Sequence, residues 1–431
     1  MNIDYDRLRL DGIYKQDDQG SLMLRVKAPA GVLSSEQVAK VCDISEKYSN
    51  GMLHVTTRCS LEFHWLKYRD LPEIWRAMAS VGLTSRGACG GAVRGVSCGT
   101  SFAPGFASVQ LMAARIQRHF AGNPRFEGLP KKFKISVEGS LEGGRHLMQD
   151  AALVLQGGDS DSPAWDLWVA GGLGREPMEG FLYERSLSEH QVLPLLEALV
   201  QVHREQTPKG KRLKHVVQSI GQQSLRDLVE EKRRIQPVYE LVEGFPRQFT
   251  PGSGAPPVEA VVFAGEIKAP TLRQLGSVAS RHGGGYLVLT AEQNVALFPE
   301  SQEAEAPIRA ELAALGFDGD SPEQQILMRI CPGSHQCRMG LAPTRDLARA
   351  MLPALSDGAK KLSFALSGCP NSCAQAQLAQ VGIFACKSVK QEDGSRKPLY
   401  NLLRRQGEGF GTVVAEALDE QALLAEIGKI S

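Results

Sequence analysis

At 431 residues the chain is too long for one hydrophobic core and suits roughly two to four domains. Its 42% hydrophobic and 23% charged content is that of a globular enzyme, and a net charge of +1 excludes a global attraction to nucleic acid or to an anionic membrane surface. The N-terminus (MNIDYDRLRLDGIYKQ) has no apolar signal region, and no apolar run approaches the ~20 residues of a membrane span. The expectation is therefore a cytoplasmic protein with reduced thiols, whose nine cysteines suggest metal binding before disulfides.

Residues 20–28 (GSLMLRVKA) read as a strand, and Ser34-Ser-Glu-Gln37 as a capping box that opens a helix through Ser49. Asn50-Gly51 is a turn, followed by the β-rich run Met52–Leu66. A second, weaker copy of this unit starts near residue 260. There AVVFAGEI reads as a strand, Lys268-Ala269-Pro270 echoes Lys27-Ala28-Pro29, and Thr290 falls where Thr56 lies. Between the copies, 101–122, 188–205 and 223–235 read as helices, and 131–137 and 166–170 as strands. The proline-rich stretch 236–258 reads as a linker. Beyond the second copy follow helices over 303–315 and 344–355, a strand over 361–366, further strand, and a last helix over 419–430.

Two cysteine pairs carry the strongest chemical signal: Cys331-Pro-Gly-Ser-His-Gln-Cys337 and Cys369-Pro-Asn-Ser-Cys373. Four thiolates suit a cubane iron–sulfur cluster, one per iron. The wide first spacing is atypical for zinc, although a zinc knot and unrelated buried thiols remain alternatives. On a helix start the second pair would place both sulfurs on one face. Cys42, Cys59, Cys89, Cys98 and Cys386 lack such spacing and read as small buried hydrophobes. Arg25, Arg58, His64 and Arg94 stand in strand or Gly-rich contexts, and Lys132 and Lys134 share one face of a strand. Taken singly each is a surface charge; together they could bind an anion or the carboxylates of a cofactor. No nucleotide-binding, hydrolase or zincin motif is present in the sequence.

The cysteine pattern with GCPNSC resembles the sirohaem/4Fe–4S nitrite and sulfite reductase family, and GIYKQ, SLMLRVKAP, LHVTTRCSLEFH, GLPKKFK, VAGGLG and LTAEQNVAL resemble its blocks in order. The resemblance implies an α+β, internally duplicated fold. Two ferredoxin-like half-domains (1–78 and 259–315) would accompany two sirohaem/4Fe–4S domains with mixed sheets (79–235 and 316–431), joined by the linker. It implies that Cys331, Cys337, Cys369 and Cys373 hold the cluster, with Cys373 bridging to the sirohaem iron. Arg25, Arg94, Lys132 and Lys134 would surround the substrate. Arg58, His64, Lys209 and Arg212 would meet sirohaem carboxylates, with Gln293 and Asn294 near the cofactor.

The implied activity is six-electron reduction of sulfite or nitrite, with a lean toward sulfite, using electrons from a ferredoxin or flavoprotein. No nucleic-acid or membrane partner is implied. Departures from the family pattern are Cys59 after the TTR arginine, Gly91 and Gly95 around Arg94, and the late segment YNLLRRQGEGFGT. Tyr14 and Cys89 fall where some relatives place a neighbouring tyrosine and cysteine, so a link between them is an open hypothesis. The alternatives are a precorrin-3B synthase-like oxygenase, disfavoured by the intact Arg/Lys set, and a non-catalytic iron–sulfur or zinc module.

Overall fold

The computed structural model describes residues 3–157, 163–237 and 255–430, so most of the expected linker lies outside the described residues. In the first half, the strand Leu22–Arg25 alternates between buried and half-buried positions, which puts Leu22 and Leu24 in the core and leaves Arg25 on the opposite face. The helix Ser35–Tyr48 opens with the expected capping box: Gln37 N donates to Ser34 Oγ at 3.2 Å and Ser34 N to Gln37 Oε1 at 3.0 Å. Its Val38, Val41, Cys42 and Ile44 are buried. The strands Met52–Val55 and Leu61–Leu66 then pair antiparallel across the turn at Thr56–Ser60.

The second half repeats this plan. Thr56 N donates to Ser60 O at 2.9 Å and Cys59 N to Thr56 O at 3.0 Å; Thr290 N donates to Asn294 O at 2.9 Å and Gln293 N to Thr290 O at 3.1 Å. Cys59 and Gln293 hold the same left-handed backbone, with φ of 55° and 70°. Strand register gives the same equivalence, since Arg25 pairs with Glu62 and Glu259 with Ala296. The Thr56–Thr290 match of the sequence is therefore present in the fold, but the Lys-Ala-Pro match is not. Lys268 precedes the helix Ala269–His282 and corresponds to Ser34. The single strand expected over AVVFAGEI is split into Val258–Ala260 and Glu266–Lys268 by a turn at Ala264 and Gly265, both at positive φ.

Each half lends a strand to the other. Val32–Ser34 pairs with Tyr286–Val288, and Glu266–Lys268 pairs with Met52–His54. At the two crossings a glycine is required: a Cβ on Gly31 would lie 2.1 Å from the Leu289 carbonyl oxygen, and one on Gly265 2.2 Å from that of Val55. The halves consequently share one apolar core that runs from Leu22 and Val38 through Leu272 and Leu287. At ~1.5–3 kcal/mol for each fully buried aliphatic side chain, neither half would keep this burial alone.

Two further sheets flank this body. Ile135–Glu138, Ala151–Gln156, Ala164–Val169 and Phe181–Leu187 form a four-stranded sheet, and the helices Phe106–Phe120, Glu189–Gln206 and Leu213–Arg233 pack with it in one core. Met328–Ile330, Phe364–Ser367 and Val381–Lys390 run parallel, with Arg396–Arg404 and Thr412–Leu418 added antiparallel. The helix expected from 101 starts only at Phe106, after Gly105 at φ 81°, and the one expected from 223 starts at Leu213 and kinks at Gly221, φ 82°. The strand expected from 131 begins at Ile135, and the one expected over 361–366 spans Phe364–Ser367. Among the described residues no helix is long and apolar enough to cross a membrane.

Candidate cofactor and anion site

The two cysteine pairs meet at the end of the parallel strands. Cys331 leaves the strand Met328–Ile330, its N–H bonded to the Leu366 carbonyl at 3.0 Å. The Gly368 N–H donates to the Cys331 sulfur at 3.1 Å, so the strand ends carrying the two pairs are held side by side. Backbone crowding fixes the loop: a Cβ on Gly340 would lie 2.3 Å from the Gly333 carbonyl carbon, and one on Gly368 2.7 Å from the Gly333 Cα. The second pair does not start a helix, contrary to expectation. Ser372 and Gln375 adopt left-handed φ of 52° and 64°, which breaks any helical run and presents Cys369 and Cys373 from a tight turn. The thiols sense one another: burial pushes Cys369 up to about 11, with Cys373 and Cys337 adding to the rise. Cys331 is also raised, by burial and then by Cys373. Burial raises Cys331, Cys337 and Cys369, and with Cys373 these thiols suit an iron–sulfur cluster that would hold them as thiolates.

Lys132 and Lys134 lie close enough to Cys373 for its sulfur to bear on both, and further cations surround them. Burial, the Arg212 guanidinium and Arg94 hold Lys132 down at about 8, while the Cys373 sulfur acts in the opposite sense. Lys134 is pulled well below its ordinary value by burial, Lys132, Arg58 and Arg212, again against Cys373. Burial, Arg94, Arg212 and Arg25 bring Arg58 down to about 10. The structure thus brings Arg25, Arg58, Arg94, Lys132, Lys134 and Arg212 into one neighbourhood with Cys373.

Their partners differ. Arg25 donates from Nε to Glu62 Oε1 at 2.8 Å and from Nη1 to the Ala88 carbonyl at 3.3 Å, and this carboxylate holds it above its ordinary value although burial opposes the rise. Arg58 reaches Gln149 Oε1 at 3.0 Å and the Gly95 carbonyl at 2.8 Å. Arg212 is paired with Asp150 at 2.7 Å. His64 is buried with neither ring nitrogen hydrogen-bonded among the described residues, and its Nε2 lies 3.6 Å from a Glu62 oxygen.

The remaining sequence candidates lie elsewhere. Lys209 is exposed on the loop before Arg212. Gln293 is a buried pin: its Nε2 donates to the Val55 carbonyl at 3.0 Å, and its Oε1 accepts from Ile330 N at 2.7 Å, one residue before Cys331. Asn294 Oδ1 accepts from Val262 N at 2.9 Å. Two lysines were missed by sequence reasoning. Lys27 is 2% exposed and its ammonium donates to the Val93 carbonyl at 3.3 Å; burial and then Arg94 hold it at about 7. Its signal was its position two residues after Arg25, on the same strand face. Lys214, two residues after Arg212, is buried against the carbonyls of Gly172, Leu173 and Glu176. The Cys89 thiol is buried, which raises it, and its sulfur accepts from Arg25 Nη1 at 3.7 Å.

This constellation fits a polyanionic group. Among the described residues, Lys27, Arg58, Arg94, Lys132 and Lys134 have no carboxylate within 4.0 Å, and two nitrogens of His64 are orphaned. Lys27 and Arg94 are buried and Arg58, Lys132 and Lys134 half-buried, and such uncompensated charge of one sign is costly unless an anionic partner enters. A carboxylate-rich macrocycle seated over Cys373 would supply that partner.

The family model described as "Nitrite/Sulfite reductase ferredoxin-like half domain" matches residues 14–81 and 258–315, which are the two strand-exchanging halves. The model described as "Nitrite and sulphite reductase 4Fe-4S domain" matches residues 106–236, which include Lys132, Lys134 and Arg212. Sulfite reductase (ferredoxin) 2 of Mycolicibacterium paratuberculosis is 27% identical, over 90% of this chain and 76% of its own. Ferredoxin–nitrite reductase of Synechococcus elongatus is 26% identical, over 89% and 80%. The solved structure of the Mycobacterium tuberculosis NirA protein shares the fold, with a TM-score of 0.83 at 22% identity, covering 98% of this chain and 85% of that one. With both halves and the intervening domain matched in order, and with the cysteine and cation sets meeting at one place, the chain belongs to the sirohaem/4Fe–4S nitrite and sulfite reductase family.

Proposed function

We propose that the chain reduces a small oxyanion, sulfite to sulfide or nitrite to ammonia, with six electrons from an external donor. It does so on a sirohaem coupled to one 4Fe–4S cluster. The observation that carries this reading is that Lys132 and Lys134, both beside Cys373, and Arg94, beside Cys89, have no carboxylate partner among the described residues. Cys331, Cys337, Cys369 and Cys373 would hold the cluster, and Cys373 would also serve the macrocycle. When bound, the coupled pair supplies electron storage next to the substrate.

The chain's own residues do the rest. Arg94, Lys132 and Lys134, with Arg25 steadied by Glu62, attract and orient the anion. Lys132, held at about 8, is charged at neutral pH yet gives up a proton more readily than an ordinary lysine. It therefore suits proton delivery as each departing oxygen leaves as water. Arg58, His64 and Arg212 would meet the macrocycle carboxylates, with Lys209 exposed on the loop before Arg212. Sulfite is the preferred substrate, on the GCPNSC segment and late region. The donor is a ferredoxin, as in the names of the relatives, with a flavoprotein as the second possibility.

A reduced-viologen assay on protein purified anaerobically with sirohaem supply tests the reading and separates the substrates. Turnover of sulfite in excess of nitrite is expected. A preparation without an isobacteriochlorin absorption spectrum, or one inert toward both anions, would overturn it.

A further inference from the structure

The duplication carries an inversion of charge. The turn Thr56–Ser60 brings Arg58 to the cation-rich pocket, and at the equivalent place in the second half stands Glu292. The strand position of Arg25 is likewise taken by Glu259. These two acids line a cavity of about 190 Å³ that also touches Asn294, Ile326 and Met328. Glu292 does not face open solvent alone. One of its carboxylate oxygens accepts from Arg145 and lies 3.8 Å from Arg329. Both arginines are buried, at 6% and 4% exposure, and Glu292 is the carboxylate that meets both among the described residues.

The two guanidiniums converge on the backbone that follows Cys373. Arg329 Nε donates to the Ala374 carbonyl at 3.0 Å and its Nη2 to the Gln375 carbonyl at 3.4 Å. Arg145 Nε donates to Gln375 Oε1 at 3.0 Å, and its Nη1 to the Gly99 carbonyl at 3.2 Å. Gln375, at a left-handed φ of 64°, passes the contact on through Nε2 to the Thr57 carbonyl at 2.9 Å. Glu292 therefore stands at the root of a branched network that ends on Ala374 and Gln375, just after Cys373, and through Gln375 on Thr57.

We propose that Glu292 is a positioning residue: it neutralises and orients Arg145 and Arg329, fixes the Cys373–Gln375 segment, and thereby sets the reduction potential of the cluster that Cys373 holds. The proposal rests on the family reading of Cys373 as a cluster ligand. The physical reason is charge balance. Two buried guanidiniums next to the cluster favour its more negative, reduced form, and the Glu292 carboxylate offsets that effect. A planar guanidinium also fixes geometry through paired N–H groups in a way that a lysine ammonium does not.

The test is a redox titration of sirohaem-loaded protein followed by the EPR signal of the reduced cluster. E292Q is expected to shift the cluster midpoint to more positive potential while iron, acid-labile sulfide and sirohaem stay at wild-type stoichiometry. E292D, which keeps the charge, moves the midpoint back toward wild type. E259Q, which changes an acid in the same cavity that is ion-paired to neither arginine, leaves it in place. A wild-type midpoint in E292Q at full cofactor content, or an equal shift in E259Q, overturns the proposal. Should E292Q not fold, R145K is read instead. It keeps the charge but loses the planar fork on Gln375 and Gly99, so the cluster g-values are expected to change, and unchanged g-values overturn the proposal. A wild-type chain that takes up no iron and sulfide defeats the cluster assignment itself, which separates that failure from the failure of Glu292.

Discussion

The Thr57 hydroxyl donates to the carbonyl of Cys373 at 2.7 Å, and Gln375 Nε2 bonds the Thr57 carbonyl at 2.9 Å. A turn of the first half, which carries Arg58, is thus tied to the loop of the last sheet that carries a ligand cysteine. T57V keeps the shape and removes the donor, at a cost of ~1 kcal/mol for the lost bond. The expected result is a melting temperature lower by a few degrees and faster loss of iron to a chelator. Chelation kinetics identical to wild type would show that the tie is dispensable.

Substituting Lys132 or Lys134 by Ala removes a cation that faces the anion site without a carboxylate partner. Turnover of sulfite or nitrite with reduced viologen is expected to fall by ~100-fold or more, the usual scale for losing a proton donor or charge-assisted contact. Sirohaem and iron content should be unchanged. Variants that arrive without sirohaem would move these lysines from the substrate to the cofactor.

The cysteines divide into ligands and core residues. C373S should lower both iron and acid-labile sulfide per chain and abolish the sirohaem spectrum together with them. C386S should retain all three, because the Cys386 thiol donates to the Leu399 carbonyl at 3.3 Å across the antiparallel pair Val381–Lys390 and Arg396–Arg404. Equal metal loss in the two variants would contradict the assignment.

Lys27 gives the protein without cofactor a definite pH dependence. Its folded value of about 7 lies below the ordinary 10.5, because burial and then Arg94 disfavour the charged form. The unfolded chain therefore binds more protons between these values, and stability rises as pH climbs through that window. K27M removes the buried ammonium. The cofactor-free variant should be more stable than wild type at pH ~6 by on the order of 2 kcal/mol, a difference that shrinks toward pH ~10. Parallel melting curves at both pH values would show that Lys27 is not the group responsible.

How far local pattern reaches is visible residue by residue. The Ser34–Gln37 capping box and the helix behind it were legible because the signal lies within one turn. The Thr56–Thr290 repeat was legible because a tight turn limits the residues that can occupy it. The false match of Lys268 to Lys27 arose where the chain bends at Ala264 in a left-handed conformation, for which alanine gives no warning. The helix expected at Cys369 failed for the same reason at Ser372 and Gln375.

Taken by itself, the sequence determined the four thiols, their grouping in two pairs, the alternating strands that carry Arg25 and Lys27, and the family blocks in their order. Those features depend on spacing within a few residues, where backbone geometry leaves few choices. Only the tertiary structure decided that Lys27 and Lys214 are buried, that Lys209 stays outside, and that Gln293 serves as a pin to Ile330. It alone set Glu292 against Arg145 and Arg329. These outcomes depend on which distant segments share a core, and the exchange of Val32–Ser34 and Glu266–Lys268 between the halves is what brings them together.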